Sequence, residues 1–269
     1  MSMIRMLGWL VLFLVVSTNT VFAIDEELSG QDIVRQCDAK YPGEDQQSEL
    51  TISMKDKSGN QRKTVYFRVW KDLKGVDGIV DKMTLFTVFP PDAKGAGFMR
   101  VAFSEKNAEQ SIYLPNLRKI RKVSVRDLSD SFLGSDLTYG DISYRDIEED
   151  KHNYVRTDRD KQGAEFFVVE SIPKESKPQY SKKISWFHNT AKPEDCVKVR
   201  VDYFDTKGAL LKRQRLKWQK ADEAWVWDKV LVENAQTFHS SFFEVKNVKI
   251  NTNVDEDWFS ERRLRLGLE

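Results

Sequence analysis

Serine, aspartate and histidine are the residues from which a hydrolytic centre would be built, and Ser131, Ser135 and Asp136 stand close together in this chain. Neither serine sits in a nucleophile-elbow pattern and no histidine lies near them in sequence, so a covalent mechanism lacks its base. The histidines His152, His188 and His239 are not spaced i, i+4, and no paired-cysteine knuckle accompanies them, so a metal site is not indicated. Chemistry of another kind is written at 118–126. There Arg118, Lys119, Arg121, Lys122 and Arg126 crowd together in a chain of 43 basic and 42 acidic residues. Such a cluster attracts anions, at about 1 kcal/mol per basic residue near an anionic membrane surface. The same residues also suit a solvated strand edge, where charge deters edge-to-edge pairing. The balanced remainder disfavours nucleic acid as a bulk partner.

The 2 cysteines, Cys37 and Cys196, allow a disulfide if the chain is exported; two separate buried thiols are the alternative, and geometry decides between them. Export is read from residues 1–23. Arg5 precedes the apolar run Leu7 to Val16, which is too short to span a bilayer core of about 30 Å. Ser17 to Ala23 then turns polar and ends Val21-Phe22-Ala23, which places signal-peptide cleavage after Ala23. Cys37 is too far along to carry a lipid anchor at a new N-terminus. The expected organisation is a signal peptide over 1–23 and one domain over 24–269.

The elements that must position these residues are mostly strands. Leu50, Ile52 and Met54 alternate with polar residues, Lys57-Ser58-Gly59-Asn60 supplies a turn, and Val65, Phe67 and Val69 resume the alternation. Val197, Val199, Val201 and Tyr203 do the same, followed by the turn Asp205-Thr206-Lys207-Gly208 and then Leu210, Leu216 and Trp218. Strand-like runs at 83–89, 98–103, 110–114, 154–157, 165–172, 183–188, 226–233 and 242–250 bring the expectation to about a dozen strands, paired sequentially and antiparallel. Helical patterning is confined to a segment capped by Ser29 and to a short C-terminal stretch carrying Trp258, Phe259 and Leu264. So many strands curl. A curled sheet either encloses a hollow for an apolar ligand or closes over an ordinary packed core. Trp186 and Trp218 suit the rim of such a hollow, because each brings a large apolar ring with one polar handle.

The middle of the chain narrows the choice. Tyr113-Leu114-Pro115, the basic pairs Arg118-Lys119 and Arg121-Lys122, and Ser131-Phe132-Leu133-Gly134-Ser135-Asp136 with Tyr139 and Asp141 resemble the signature of the outer-membrane lipoprotein-sorting family, the LolA-like carriers found beside inner-membrane exporters of the resistance-nodulation-division type. Pro91 to Phe98, Tyr203 to Gly208 and Phe259 to Leu264 extend the resemblance along most of the chain, while Leu137 replaces a more usual aromatic residue and Cys196 falls in a variable stretch.

The resemblance implies a mainly β fold: a single strongly curved antiparallel sheet, an open half-barrel of LolA/LolB type, with a few short helices lidding its concave face. It implies a periplasmic carrier that binds a lipid or a lipoprotein acyl chain without covalent chemistry or cofactor. Its partners would be that cargo, an RND/MMPL-type exporter and, transiently, a membrane surface. The cavity lining expected on this reading is Leu50, Ile52, Met54, Phe67, Val69, Leu85, Phe98, Tyr113, Phe132, Trp186, Val199, Val201, Leu216 and Trp218. Arg118, Lys119, Arg121, Lys122 and Arg126 would meet a partner or headgroups, and Pro115, Gly134, Ser135, Asp136, Tyr139 and Asp141 would hold the signature's shape. A filled core would instead leave an adaptor module of the exporter with no ligand of its own.

Overall fold

The computed structural model describes residues 28–124 and 128–268; the leader with its cleavage point, and Arg126, lie outside the described residues. The chain forms one open, curved, mainly β architecture around a 13-stranded antiparallel sheet. From one edge inward, β6 (Lys119–Val123), β5 (Glu109–Leu114), β4 (Gly97–Phe103), β3 (Ile79–Phe89), β2 (Gln61–Asp72) and β1 (Asp45–Lys55) follow each other in reverse chain order. On the other side of β1 come β13 (Ser240–Ile250), β12 (Ala224–Asn234), β11 (Leu210–Ala221), β10 (Lys198–Phe204), β9 (Lys182–Asn189), β8 (Glu165–Pro173) and β7 (Asp150–Arg159). The first strand is therefore central. The chain meanders out to the β6 edge, crosses to the β7 edge through residues 124–149, and meanders back until β13 pairs with β1.

Local chemistry explains the tight hairpins. In Asp56-Lys57-Ser58-Gly59-Asn60, Asp160-Lys161-Gln162-Gly163-Ala164 and Asp205-Thr206-Lys207-Gly208-Ala209, the aspartate carboxylate accepts backbone N–H groups two and four residues on, at 2.8–2.9 Å. Each glycine takes φ between 83° and 89°, a region open to it at no steric cost. The sequence reading found the first and third of these turns. Lys119, Arg121 and Lys122 of the basic segment lie on the edge strand β6, the strand-edge placement that the sequence also suited, and Arg118 sits in the turn before it.

Two layers cover the sheet. On its inner face lie α1 (Gly30–Asp38) and the crossover at 128–149; on its outer face lie a 3-10 turn at Glu256–Phe259 and α2 (Glu261–Leu266). Among the described residues, α1 and the crossover cover the concave side, whereas α2 packs Leu264 against the outer side of Gly97. The Ser29 hydroxyl caps α1 by accepting from Asp32 N at 3.1 Å, and Ile33, Val34 and Cys37 face the sheet. Gly30 brings the helix onto β7. A Cβ there would lie 2.6 Å from Tyr154 N, so the close approach requires glycine.

The main core fills part of the inner face. Leu50, Ile52 and Met54 of β1 meet Tyr66, Trp70, Leu85, Phe98, Val230 and Phe243 from neighbouring strands, and Phe132, Leu137 and Tyr139 of the crossover pack down on them. Phe132 is the keystone: its ring lies 5.1 Å from Phe98 and 5.7 Å from Tyr139, both edge to face.

Candidate functional site

The signature residues of the crossover are anchors. Asp136 accepts from Ser241 Oγ at 2.6 Å and from His239 Nδ1 at 2.7 Å, both near the start of β13. Asp141 accepts from Thr138 N at 2.7 Å and from the Tyr180 hydroxyl at 2.9 Å, and pairs with Lys212 of β11, whose side chain is 2% exposed. Lys212 also donates to Asp136 O at 2.8 Å and lies over the Tyr180 and Tyr203 rings. Burial, and then the Asp141 charge, push the Tyr180 and Tyr203 hydroxyls above the ordinary tyrosine range. Ser135 is buried and gives its hydroxyl to Phe132 O at 2.7 Å, closing the turn in which Gly134 has φ 80°. Asp136 thus holds a histidine, but the serine beside it in sequence faces the turn's own carbonyl. Pro115 opens the 3-10 turn Pro115–Leu117 at the tip of the β5–β6 hairpin.

A hollow of about 1150 Å³, open to solvent, is lined by the crossover at 140–149, α1, strands β7–β12 and residues 103–108. Val34, Phe187, Val201, Leu216, Trp218 and Trp227 supply its apolar wall. Its polar wall carries Lys40, Lys106, Arg145, Lys177, Lys183 and Lys198 together with Asp38, Glu105, Asp141, Asp146, Glu149, Asp150 and Glu175, beside His152 and Gln214. The lining is mixed rather than purely apolar.

Asp150 is the electrostatic centre of one wall. Arg145 reaches its Oδ1 at 2.6 and 3.0 Å and Lys183 its Oδ2 at 3.3 Å. Burial raises the Asp150 carboxyl, but those cations outweigh it and hold the group below the usual carboxylate range. Lys183 is lowered by burial, which Asp150 offsets only in part. Burial also pushes Lys40 down to about 8 against the pull of Asp38. His152 lies 3.0 Å through Nε2 from Ile147 O, an acceptor, and 2.8 Å through Nδ1 from Ser171 Oγ. That arrangement suits the neutral ring, and burial lowers its pKa.

Of the lining expected from sequence, Val201, Leu216 and Trp218 border this hollow. Leu50, Ile52, Met54, Leu85, Phe98 and Phe132 share the inner face but are packed together beneath the crossover. Phe67 and Val69 lie on the outer face instead, under Val254, Trp258 and Phe259. Tyr113 pairs with Gly97 and shares its outward side, so it does not line the hollow either. Trp186 also points outward, donating to Asp158 at 2.7 Å with Arg200 over its ring. Val199 falls at the irregularity in the β9–β10 ladder.

Arg118, Lys119, Arg121 and Lys122 are all exposed along the β5–β6 hairpin, beside Leu117, which is 62% exposed. Cys37 and Cys196 are joined in a disulfide that ties α1 to the turn before β10. Sequence reading missed Lys183, Gln214 and Lys212, although their parity with Phe187 and Leu216 along β9 and β11 marks them as facing inward.

A family model described as that of an uncharacterized protein matches residues 80–266. The chain belongs to this family. No curated protein matches its sequence. Among solved structures it is similar to a domain described as that of an outer membrane lipoprotein-sorting protein from Vibrio parahaemolyticus, with 23% identity, a TM-score of 0.78, and 88% of this chain and 98% of that chain covered. A DUF1329 family protein from Desulfovibrio piger gives 22% identity and a TM-score of 0.79 over 87% of this chain and 97% of that one. A LolA superfamily protein from Nitrosomonas europaea gives 14% identity and a TM-score of 0.64 over 87% and 98%. The fold of this chain is accordingly LolA-like, as the 111–141 signature implies.

Proposed function

We propose that the mature protein is a periplasmic carrier that takes a lipid or the acyl chain of a lipoprotein into the hollow and passes it between membranes or to an inner-membrane transporter. The observation that carries this reading is the cavity of about 1150 Å³ left between crossover, α1 and sheet in a LolA-like fold. Burying a chain of a dozen methylenes at about 0.8 kcal/mol each yields roughly 10 kcal/mol before the costs of association, enough for capture and still reversible. The disulfide supports export, because such bonds persist in oxidising compartments. An RND/MMPL-type exporter is the proposed partner, met through the basic hairpin at 118–122. Native mass spectrometry and lipid extraction of the purified mature protein test the carrier: stoichiometric bound lipid is expected. A protein that neither retains lipid nor takes up an acylated peptide would refute it.

The packing of Phe132, Leu137 and Tyr139 into half of the inner face favours a second reading, an adaptor of the exporter without its own ligand. Exporter binding by lipid-free protein, unchanged by added lipid, would support that alternative.

A further inference from the structure

Alternate turns of an antiparallel sheet share an end, and the two ends of this sheet differ in charge. The β1–β2, β3–β4, β5–β6 and β12–β13 turns stand at one end, where Lys55 pairs with both Gln61 and Ser240, Val65 with Phe89, Gly97 with Tyr113 and Leu114 with Lys119. Three of these turns carry exposed cations. Lys55, Lys57, Arg62 and Lys63 surround the first, Lys94 lies in the second, and Arg118 and Lys119 close the third. Among the described residues none of them forms an ion pair. The carboxylates of that end are fewer, and two are engaged: Asp56 accepts from Ser58 N, Asn60 N and Asn60 Nδ2 within its own turn, and Asp136 is held by His239 and Ser241, which leaves Asp92 and Asp130. At the opposite end most turn cations are matched. Lys74 lies 2.6 Å from Glu44, Lys106 2.7 Å from Glu109 and Lys220 2.8 Å from Asp195, and Arg159 pairs with Glu165.

The basic end also carries Phe238 and Leu117, the two most exposed large hydrophobic side chains among the described residues, at 74% and 62%, and Phe89 at 46%. Phe238 has φ 61°, in the left-handed region that favours glycine, and Asn234 pins the turn by accepting from Gln236 N and Thr237 N at its side chain and from Phe238 N at its carbonyl oxygen. Lys57 and Phe238 line one cleft between neighbouring turns, so charge and apolar surface are interleaved. Unpaired cations beside projecting apolar tips are the chemistry that an anionic bilayer surface recognises. The tips stand on separate turns. A rigid protein partner would need a pocket for each, whereas a fluid headgroup layer admits them without one.

We propose that this end of the sheet is a docking rim for an anionic phospholipid bilayer, with its cations over the headgroups and Phe238, Leu117 and Phe89 entering between them. The inference goes beyond the carrier reading and does not require it, because it assigns an orientation at the membrane whatever the hollow holds.

The mature protein is co-sedimented with vesicles of phosphatidylcholine alone and of equimolar phosphatidylcholine and phosphatidylglycerol, neither of which contains an exporter. Partition onto the anionic vesicles is expected to exceed that onto the neutral ones by at least about tenfold at ~0.1 M salt and to fall steeply towards ~1 M. Lys57→Gln combined with Arg118→Gln should weaken it at least about tenfold. Phe238→Asn, which suits the left-handed turn, combined with Leu117→Asn should weaken it at least about threefold. Lys161 and Lys192, exposed at the opposite end, supply the control: Lys161→Gln with Lys192→Gln should change partition less than about twofold. Circular dichroism checks the fold of each variant. Failure to pellet with anionic vesicles, or equal partition onto both kinds, would overturn the docking rim and leave the carrier reading, which lipid retention tests, untouched. Salt-sensitive binding to polyglutamate in that case would assign the rim to an acidic protein instead. A loss in the control matching that of Lys57→Gln with Arg118→Gln would overturn the assignment to this end. Unchanged partition in Phe238→Asn with Leu117→Asn would overturn the entry of the apolar tips.

Discussion

Replacing Asp141 with asparagine tests whether the signature aspartates hold the crossover down. Asp141 Oδ2 receives both Thr138 N and the Lys212 ammonium, while Oδ1 receives the Tyr180 hydroxyl. An asparagine offers one accepting oxygen and turns its other end into a donor, so at least one of these donors meets another donor. Lys212, 2% exposed, keeps Asp136 O but loses the carboxylate it pairs with. Removing one partner of a buried pair costs about 3–5 kcal/mol, a large part of the 5–15 kcal/mol that holds a typical domain folded. Asp141→Asn should therefore lower the urea midpoint strongly at unchanged slope. Adding Lys212→Met removes the stranded charge, so the double variant should recover at least about 1.5 kcal/mol over Asp141→Asn alone. Urea titrations of wild type, both single variants and the double complete the cycle. An Asp141→Asn cost below about 1 kcal/mol, or strict additivity in the double variant, would refute the anchoring argument.

Gly30→Ala places a methyl group 2.6 Å from the backbone nitrogen of Tyr154 and should destabilise the protein by about 1–3 kcal/mol in thermal melts, with faster hydrogen exchange in α1 than elsewhere. Replacing both Cys37 and Cys196 with serine opens a link spanning 159 residues and should cost about 2–5 kcal/mol by urea titration. Burial pushes the Lys40 ammonium down to about 8 from the 10.5 of a free lysine, so between these values the unfolded state binds more protons and stability rises with pH. The wild type should gain up to about 3 kcal/mol from pH 8 to 10.5 relative to Lys40→Met; a parallel pH profile in the two proteins would contradict the burial of that ammonium.

Much of the fold was legible because alternation and turn chemistry agree. β1 shows one apolar parity, Leu50, Ile52 and Met54, and all three face inward. β2 shows why the site was harder to read. Tyr66 and Trp70 occupy one parity and Phe67 and Val69 the other, so hydrophobicity does not say which pair faces the hollow, and a slip of one residue exchanges them. β9 poses the same ambiguity with Trp186 and Phe187, and there the inward side is taken by Phe187. Lys183 and Lys198 escaped notice for a different reason. A lysine on a strand ordinarily marks solvent, and only the distant carboxylates Asp150 and Asp38 make these positions tenable inside.

Topology explains why a short motif carries so much of the architecture. With β1 at the centre and β6 and β7 at the two edges, the crossover at 128–149 lies over the concave face and divides it. Asp136 and Asp141 fasten it over β13 and β11, so Phe132 and Tyr139 close the space on one side and the hollow remains on the other. The opposite lid, α1, is fixed by the disulfide and by the close seating of Gly30 on β7. Moving the first wall breaks a buried ion pair, at about 3–5 kcal/mol, and moving the second strains a covalent tie. The boundaries of the hollow are thus largely set before a ligand arrives, which reduces the ordering cost of binding and makes its solvent-open side the low-energy route for exchange.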